Sequence, residues 1–124
     1  MIQQTINNFG KKIGLDDLAF NENKIIHLTL ETIGELYFEE NPPHLLLYLI
    51  KKIENSDLKV YQKILTLCHF KQKNPYPTFA GLYENDNLAF LVKIPYEQIS
   101  ESNIEKSIAF LNKLHEQVAD LNKK

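Results

Sequence analysis

Apolar residues follow helical spacing at the start of the chain and strand-like alternation soon after it. They recur at intervals of four, three and four at Ile2, Ile6, Phe9 and Ile13. This spacing predicts an amphipathic helix over residues 2–13, with Gly14 as its left-handed C-terminal cap. Apolar and polar positions alternate over residues 26–31 and again over 35–39, which predicts two neighbouring strands of an antiparallel sheet.

The segment His44 to Ile53 is ambiguous by its pattern alone. A cap at Asn41 followed by Pro42 would suit a helix, whereas leucines that alternate from residue 45 onward favour a strand. Such a strand would be apolar on both faces. One face could then serve the core, while the other would need a helix or a partner to cover it.

The second half of the chain predicts a helix, a hairpin and a final helix. The first helix spans about residues 58–70, with Ser56 as its N-cap. The hairpin joins strands at Thr78–Tyr83 and Leu88–Ile94 through turn residues 84–87.

Two further signals complete this part of the chain. Gly81, inside the first hairpin strand, indicates either a bulge or the close approach of another backbone. Ser102 and Glu105 fit a capping box at the start of a final helix that reaches Leu121. The chain is therefore expected to form one domain over residues 1–124, of the α+β class.

Composition and charge narrow the classes of function. The chain has 124 residues, 44% hydrophobic and 24% charged, with a formal net charge of −2. All fourteen basic residues are lysines, and the pI is about 6.1. A broad positive field for nucleic acid or anionic membranes is therefore absent, as is the arginine fork that commonly reads guanine.

The single cysteine and the start of the chain indicate a cytosolic protein. Cys68 alone cannot form an internal disulfide or a cysteine-based zinc site. The N-terminal residues lack a signal-peptide pattern, and the longest apolar run, residues 45–50, is far too short to span a membrane.

Candidate catalytic residues are few and have simpler structural explanations. No two of the four histidines have metal-binding helical spacing, so neither a metal nor a cofactor is expected. Cys68 next to His69 suggests a small thiol enzyme, but neighbours on a helix point about 100° apart, which favours a buried structural thiol. Glutamates at 31, 35, 39 and 40 could pair for acid/base chemistry, yet they fit solvated strand ends better.

Apolar surface exceeds what one small sheet requires. The two-faced strand, the broad apolar arc of the middle helix and the hairpin aromatics imply coverage by a second subunit, a bound peptide or both. The alternative is that the three helices of this chain cover all of it.

Several stretches of the sequence resemble class I type III secretion chaperones, the Tir-chaperone family. The resemblance extends over nearly the whole chain in the family's order and is carried by Phe9–Leu15, Leu18–Asn23, Ile64–Cys68, Ala80–Tyr83, Leu88–Leu91 and Ile94–Tyr96. It implies an α-β-β-β-α-β-β-α fold with three helices on a twisted antiparallel sheet, in which His44–Ile53 is the third strand.

The resemblance also implies partners. The chain would be a homodimer in the bacterial cytoplasm that holds the extended N-terminal region of a secreted effector and delivers it to the export apparatus or its ATPase, without ATP consumption of its own. The matching dimer positions are Val60, Ile64, Leu67, Phe79, Ala80 and Leu82. The matching effector-binding positions are Phe9, Leu18, Phe20, Ile26, Leu28, Leu36, Phe38 and Leu47.

Two features depart from the family pattern. The chain is less acidic than most members and lacks the acidic tail that some carry, which shifts the expected specificity toward apolar pockets and strand pairing. Heterodimers also occur among divergent members. Two other functions stay open at this point: a thiol enzyme using Cys68 and His69, and a non-secretory adaptor with the same fold.

Overall fold

The eight main elements occur in the order that the sequence predicts. The computed structural model describes residues 2–54, 57–84 and 86–123. The helices are α1 (Ile2–Lys12), α2 (Leu58–Leu67) and α3 (Glu101–Ala119), and the strands are β1 (Ile25–Leu30), β2 (Gly34–Asn41), β3 (His44–Lys52), β4 (Thr78–Tyr83) and β5 (Asn87–Pro95). Short 3-10 turns follow β5 and α3. The ambiguous segment is thus a strand, as the family resemblance implies.

One five-stranded antiparallel sheet organises the fold, in the order β1-β2-β3-β5-β4. In β1, β2, β3 and β5, alternate residues point to one face of the sheet and are almost fully buried there. The most deeply buried include Leu36, Phe38, Leu47 and Phe90. The three helices cover that face with their own apolar stripes, including Ile6, Val60 and Leu111. We call it the helix-bearing face, and the opposite side the open face.

The helix boundaries follow from local hydrogen bonding. Gly14 follows α1 with φ +83, as expected of a left-handed cap. The predicted cap Ser56 lies outside the described residues, and Asp57 caps α2 by accepting a bond from the Val60 N–H at 3.1 Å. α2 ends at Leu67, earlier than predicted, because Cys68 leaves the helical backbone conformation, and the Asn74 side chain donates to the Leu67 carbonyl.

The capping box predicted at Ser102 and Glu105 is wrong. Ser100 is the N-cap of α3, and its hydroxyl accepts a bond from the Asn103 N–H at 3.0 Å. Ser100 has the extended backbone that an N-cap requires, whereas Ser102 already lies within the first turn. Two serines two residues apart offered alternative caps, and the sequence pattern favoured the second.

Candidate functional site

Most of the predicted effector-binding residues lie in the core of the chain itself. The six that are buried, with relative exposures between 0% and 8%, are Phe9, Ile26, Leu28, Leu36, Phe38 and Leu47. Leu18 and Phe20, in the segment between α1 and β1, are half-buried. The strand pattern identified the core-facing side correctly but did not separate core residues from surface residues.

An apolar groove lies where the end of α1 meets the β1–β2 hairpin and α3. Its volume is about 830 Å³, and it is lined by Phe9, Ile13, Leu15, Thr29, Leu30, Glu31, Thr32, Ile33, Glu105 and Ile108. Ile13 is 43% and Leu15 37% exposed, so both present apolar surface to solvent. We call this set of residues the α1 groove.

Charged side chains border the α1 groove. Lys12 Nζ lies 3.3 Å from Glu101 and 3.8 Å from Glu105, both at the start of α3. These ion pairs are solvent-exposed and contribute little to stability. They join the end of α1 to α3 and so help to shape one wall of the groove.

Sequence reasoning did not select Ile13 and Leu15 as binding residues. Ile13 belongs to the apolar stripe of α1, which makes a core position the simplest interpretation. The helix ends at Lys12, however, and the chain turns at Gly14, which carries both side chains away from the core. The sequence signal that could have identified these two surface residues is an apolar residue on each side of a capping glycine.

The predicted dimer residues fall into two groups. Val60, Ile64 and Leu67 are buried in this chain's core, with exposures of 1%, 7% and 9%, whereas Phe79, Ala80 and Leu82 of β4 are exposed. Among the described residues, six of the nine exposed large hydrophobic side chains come from α2, the loop after it and β4. They are Leu58, Leu65, Phe70, Phe79, Leu82 and Tyr83, and we call them the α2–β4 surface.

The open face of the sheet carries a row of rings across several strands. The His27 and Tyr37 rings stack with centroids 4.3 Å apart, and Tyr37 stacks on Tyr48 at 4.9 Å. In register, the row continues through Leu91 to Phe79 on β4. His27 and Phe79 at the two ends of the row are exposed, whereas Tyr48 between them is buried.

Hydrogen bonds join polar side chains in and beside this row of rings. The Tyr48 hydroxyl donates to Glu39 at 3.1 Å, and Glu35 accepts from the Thr29 hydroxyl at 3.0 Å. Burial, followed by the bond to Glu39, raises the pKa of Tyr48 well above its usual range. The Tyr48 hydroxyl therefore remains a donor at neutral pH.

The side chains of Cys68 and His69 have different surroundings. Both follow the end of α2, where His69 Nδ1 accepts the Lys71 N–H at 3.1 Å and its ring stacks on Phe70. Cys68 is half-buried, and burial raises the pKa of its thiol. An activated thiol requires the opposite shift.

His115 is the one histidine buried among the described residues, and its environment is structural. Its Nε2–H donates to the Leu49 carbonyl at 2.8 Å, and its ring meets the edge of Phe90. Burial lowers the pKa of His115 to about 4. The described residues contain no cluster of metal-ligating side chains, and no described helix has the length and apolar character needed to cross a membrane.

The fold resembles several solved structures at low sequence identity. A chain of the ExsC–ExsE complex aligns with a TM-score of 0.79 and 16% identity, covering 97% of this chain and 92% of that one. The HopA1–SchA chaperone–effector complex gives 0.74 and 14%, covering 95% and 92%. The Yersinia pestis type III secretion chaperone SycH, solved with a fragment of YscM2, gives 0.69 and 15%, covering 98% and 99%.

Sequence comparison gives a more specific result. No curated protein sequence matches the chain. Residues 1–119 match the model of a family described as type III secretory system chaperone SycN. Because this match covers nearly the whole sequence, the chain belongs to that family of type III secretion chaperones.

Proposed function

We propose that this chaperone works as a homodimer that binds the extended N-terminal segment of a secreted effector and keeps it soluble for export. The match to the SycN family over residues 1–119 carries this proposal. One structure of the same fold is described as the HopA1–SchA chaperone–effector complex, and another as the heterodimeric ExoU–SpcU complex from the type III secretion system of Pseudomonas aeruginosa. The finer assignment to class I, the Tir-chaperone type, rests on the sequence resemblance.

The α1 groove is the effector-binding surface in this proposal. Its exposed Ile13 and Leu15 offer apolar area, and its volume of about 830 Å³ can take several side chains of an extended segment. An extended segment cannot bury its own apolar residues, so moving them into the groove removes them from water. Leu18 and Phe20 lie in the segment after α1, outside the lining of the groove, and are proposed as further effector contacts. Of the six buried positions, Phe9 lines the groove itself, and its ring lies 6.0 Å from the ring of Phe38 in the core.

The α2–β4 surface is the dimer interface in this proposal. Leu65 and Phe70 are 71% and 84% exposed, and Phe70 and Phe79 line the same surface pocket, so the loop after α2 and β4 present neighbouring apolar side chains. A contiguous exposed apolar patch is typical of an interaction site. A two-fold axis would bury the same surface on both copies. Val60, Ile64 and Leu67 would then support α2 from the core side of the helix.

Export requires delivery as well as binding. In this proposal the complex works in the bacterial cytoplasm, where it meets the export apparatus or its ATPase. The chaperone itself supplies only backbone and apolar contacts, so no ATP, metal or other cofactor enters its mechanism. The net charge of −2 gives no basis for a nucleic-acid partner.

Co-expression with the N-terminal segment of an effector encoded near the gene tests the function. The segment should copurify with the chaperone and stay soluble, and Leu15→Asp should weaken binding at least about tenfold by placing a carboxylate in an apolar groove. Leu121→Asp is the matched control, because both leucines are 37% exposed and Leu121 lies outside the groove. Failure of every neighbouring effector to bind would refute the function, whereas equal binding by both variants would refute only the groove.

A further inference from the structure

The α1 groove combines an apolar lining with charges of one sign. Six of the ten residues that line it are large and apolar, two are threonines, and two are glutamates, Glu31 and Glu105. No lysine or histidine is among these ten described residues. The net charge of the whole chain is only −2, so the acidic character of the groove is local and does not show in the composition.

The two glutamates of the α1 groove differ in their ion pairs. Glu105 shares Lys12 with Glu101, since Lys12 Nζ lies 3.8 Å from Glu105 and 3.3 Å from Glu101. Glu31 is exposed, and no basic side chain lies within ion-pair distance of it among the residues that the structure describes. Glu31 is therefore the carboxylate of the groove that is available to a cation from another chain.

The β1–β2 turn holds the backbone of Glu31 in place. Glu31 follows Leu30, the last residue of β1, whose carbonyl accepts the Ile33 N–H at 3.1 Å and closes the turn. Gly34 ends the turn with φ +132, and a Cβ there would lie 2.8 Å from the Ile50 carbonyl oxygen. Because this position requires glycine, the turn has little freedom, and Glu31 keeps a fixed place beside the groove.

The segment that carries Leu15 is held in place as well. The Leu15 N–H donates to the Gly10 carbonyl at 2.8 Å, which folds the chain back after α1. A Cβ on Gly10 would lie 2.7 Å from the Leu18 side chain, so glycine permits this close packing. The Gln3 side chain donates to the Leu18 carbonyl. The apolar wall at Leu15 and the carboxylate of Glu31 are thus positioned before any other chain binds.

We propose that the α1 groove selects effector segments that carry a lysine or arginine beside their apolar residues, and that Glu31 pairs with this cation. The inference rests on the proposed effector-binding role of the groove and adds the charge that the groove selects. An extended segment advances about 3.3 Å per residue. Because Glu31 and the apolar wall are both fixed, the basic residue should occur at one constant spacing from the apolar residues.

Loss of water makes the pair with Glu31 selective. A segment that fills the groove removes part of the hydration of the Glu31 carboxylate, and a cation on the segment can replace it. An acidic residue at the same place would add like-charge repulsion, and an apolar residue would leave the carboxylate uncompensated. Lys12 beside Glu105 disfavours a second cation there, so the basic residue binds at the Glu31 end.

Selection from a library of random short peptides displayed on phage tests this preference. Peptides that also bind the Leu15→Asp protein are discarded, so the remaining peptides depend on the groove. Wild type should enrich apolar residues together with a lysine or arginine at a constant spacing. Glu31→Lys should lose the basic preference and favour acidic residues, whereas Glu97→Lys, at an exposed glutamate outside the groove, should select as wild type does.

Fluorescence polarisation with one selected peptide measures the size of the effect. Glu31→Gln should weaken binding about two- to fivefold, the range of a solvent-accessible ion pair. Added salt should weaken binding to wild type more than binding to Glu31→Gln, because salt screens the pair that the variant lacks. Glu97→Gln is the matched control and should bind the peptide as wild type does.

The outcomes separate this inference from the proposed function. Apolar peptides selected without a basic residue, or equal affinity and salt dependence for wild type and Glu31→Gln, would overturn the role of Glu31 and leave the groove as a binding surface. A selection in which no peptide depends on Leu15 would overturn the groove itself, and the inference with it.

Discussion

At the residue scale, His115 makes the stability of the fold depend on pH. Its pKa is about 4 in the folded state, because burial disfavours the charged ring, against about 6.5 in the unfolded chain. Below pH 6.5 the unfolded chain binds a proton that the folded chain does not, so the stabilisation present at neutral pH is lost as pH falls toward 4. We expect this residue to account for about 2 kcal/mol of lost stability between pH 7 and pH 5.

Urea unfolding of wild type and His115→Gln at pH 7 and pH 5 measures this contribution. The variant should be less stable at pH 7 but should lose less stability on acidification. His69→Gln, at an exposed histidine, is the control and should follow wild type. Identical pH slopes for wild type and His115→Gln would show that the buried imidazole is not responsible.

Cys68 supplies a second test at the residue scale. Because burial raises its thiol pKa and His69 is held by Lys71 and Phe70, the native protein should react slowly with a thiol reagent at pH 7. Denaturation should make labelling fast, and His69→Ala should leave the native rate unchanged. Rapid native labelling that His69→Ala slows would instead favour the thiol-enzyme interpretation.

At the scale of elements, periodicity predicted the helices and strands but does not decide which apolar residues form the site. Alternation places Leu36, Phe38 and Leu47 on one side of the sheet, and that side is indeed buried. It does not reveal whether a helix of the same chain or an effector segment covers that side. The same limit applies to α2, whose inner stripe at Val60 and Ile64 is core and whose outer residue Leu65 is exposed.

The surface residues were harder to predict because chain reversals position them. Ile13 and Leu15 become groove residues only because α1 ends at Lys12 and Gly14 turns the chain. The apolar pattern of β3 fits both a helix and a strand. The strand was predicted from the order of elements in the family that the sequence resembles. The predicted Ser102 cap failed because a serine two residues earlier has the required backbone geometry.

The β4 strand gives the prediction that belongs to this scale. Leu82→Asp places a carboxylate in the proposed apolar interface, where burial would remove its hydration, and should shift the dimer toward monomer. Light scattering across a concentration series measures the shift, with Leu121→Asp as the control at another exposed leucine. An unchanged dimer mass for Leu82→Asp would show that the copies associate through a different surface.

At the scale of the whole molecule, the fold divides its apolar residues among three uses. One face of the sheet and the inner sides of the helices form a core that the chain completes alone. The exposed residues of the α1 groove, Ile13 and Leu15, and the α2–β4 surface lie outside that core and arise from different elements. This separation would let a dimer form and still leave each copy's groove free for an effector.

Hydrogen exchange on the chaperone, with and without a bound effector N-terminal segment, tests the central claim most directly. We expect slower exchange of backbone amides around the α1 groove, in residues 9–15, 29–33 and 105–108, when the segment binds. Amides of α2 and β4 should be protected equally in both samples, because the dimer precedes effector binding. Protection confined to α2 and β4, or no change at the α1 groove in a stable complex, would contradict the account.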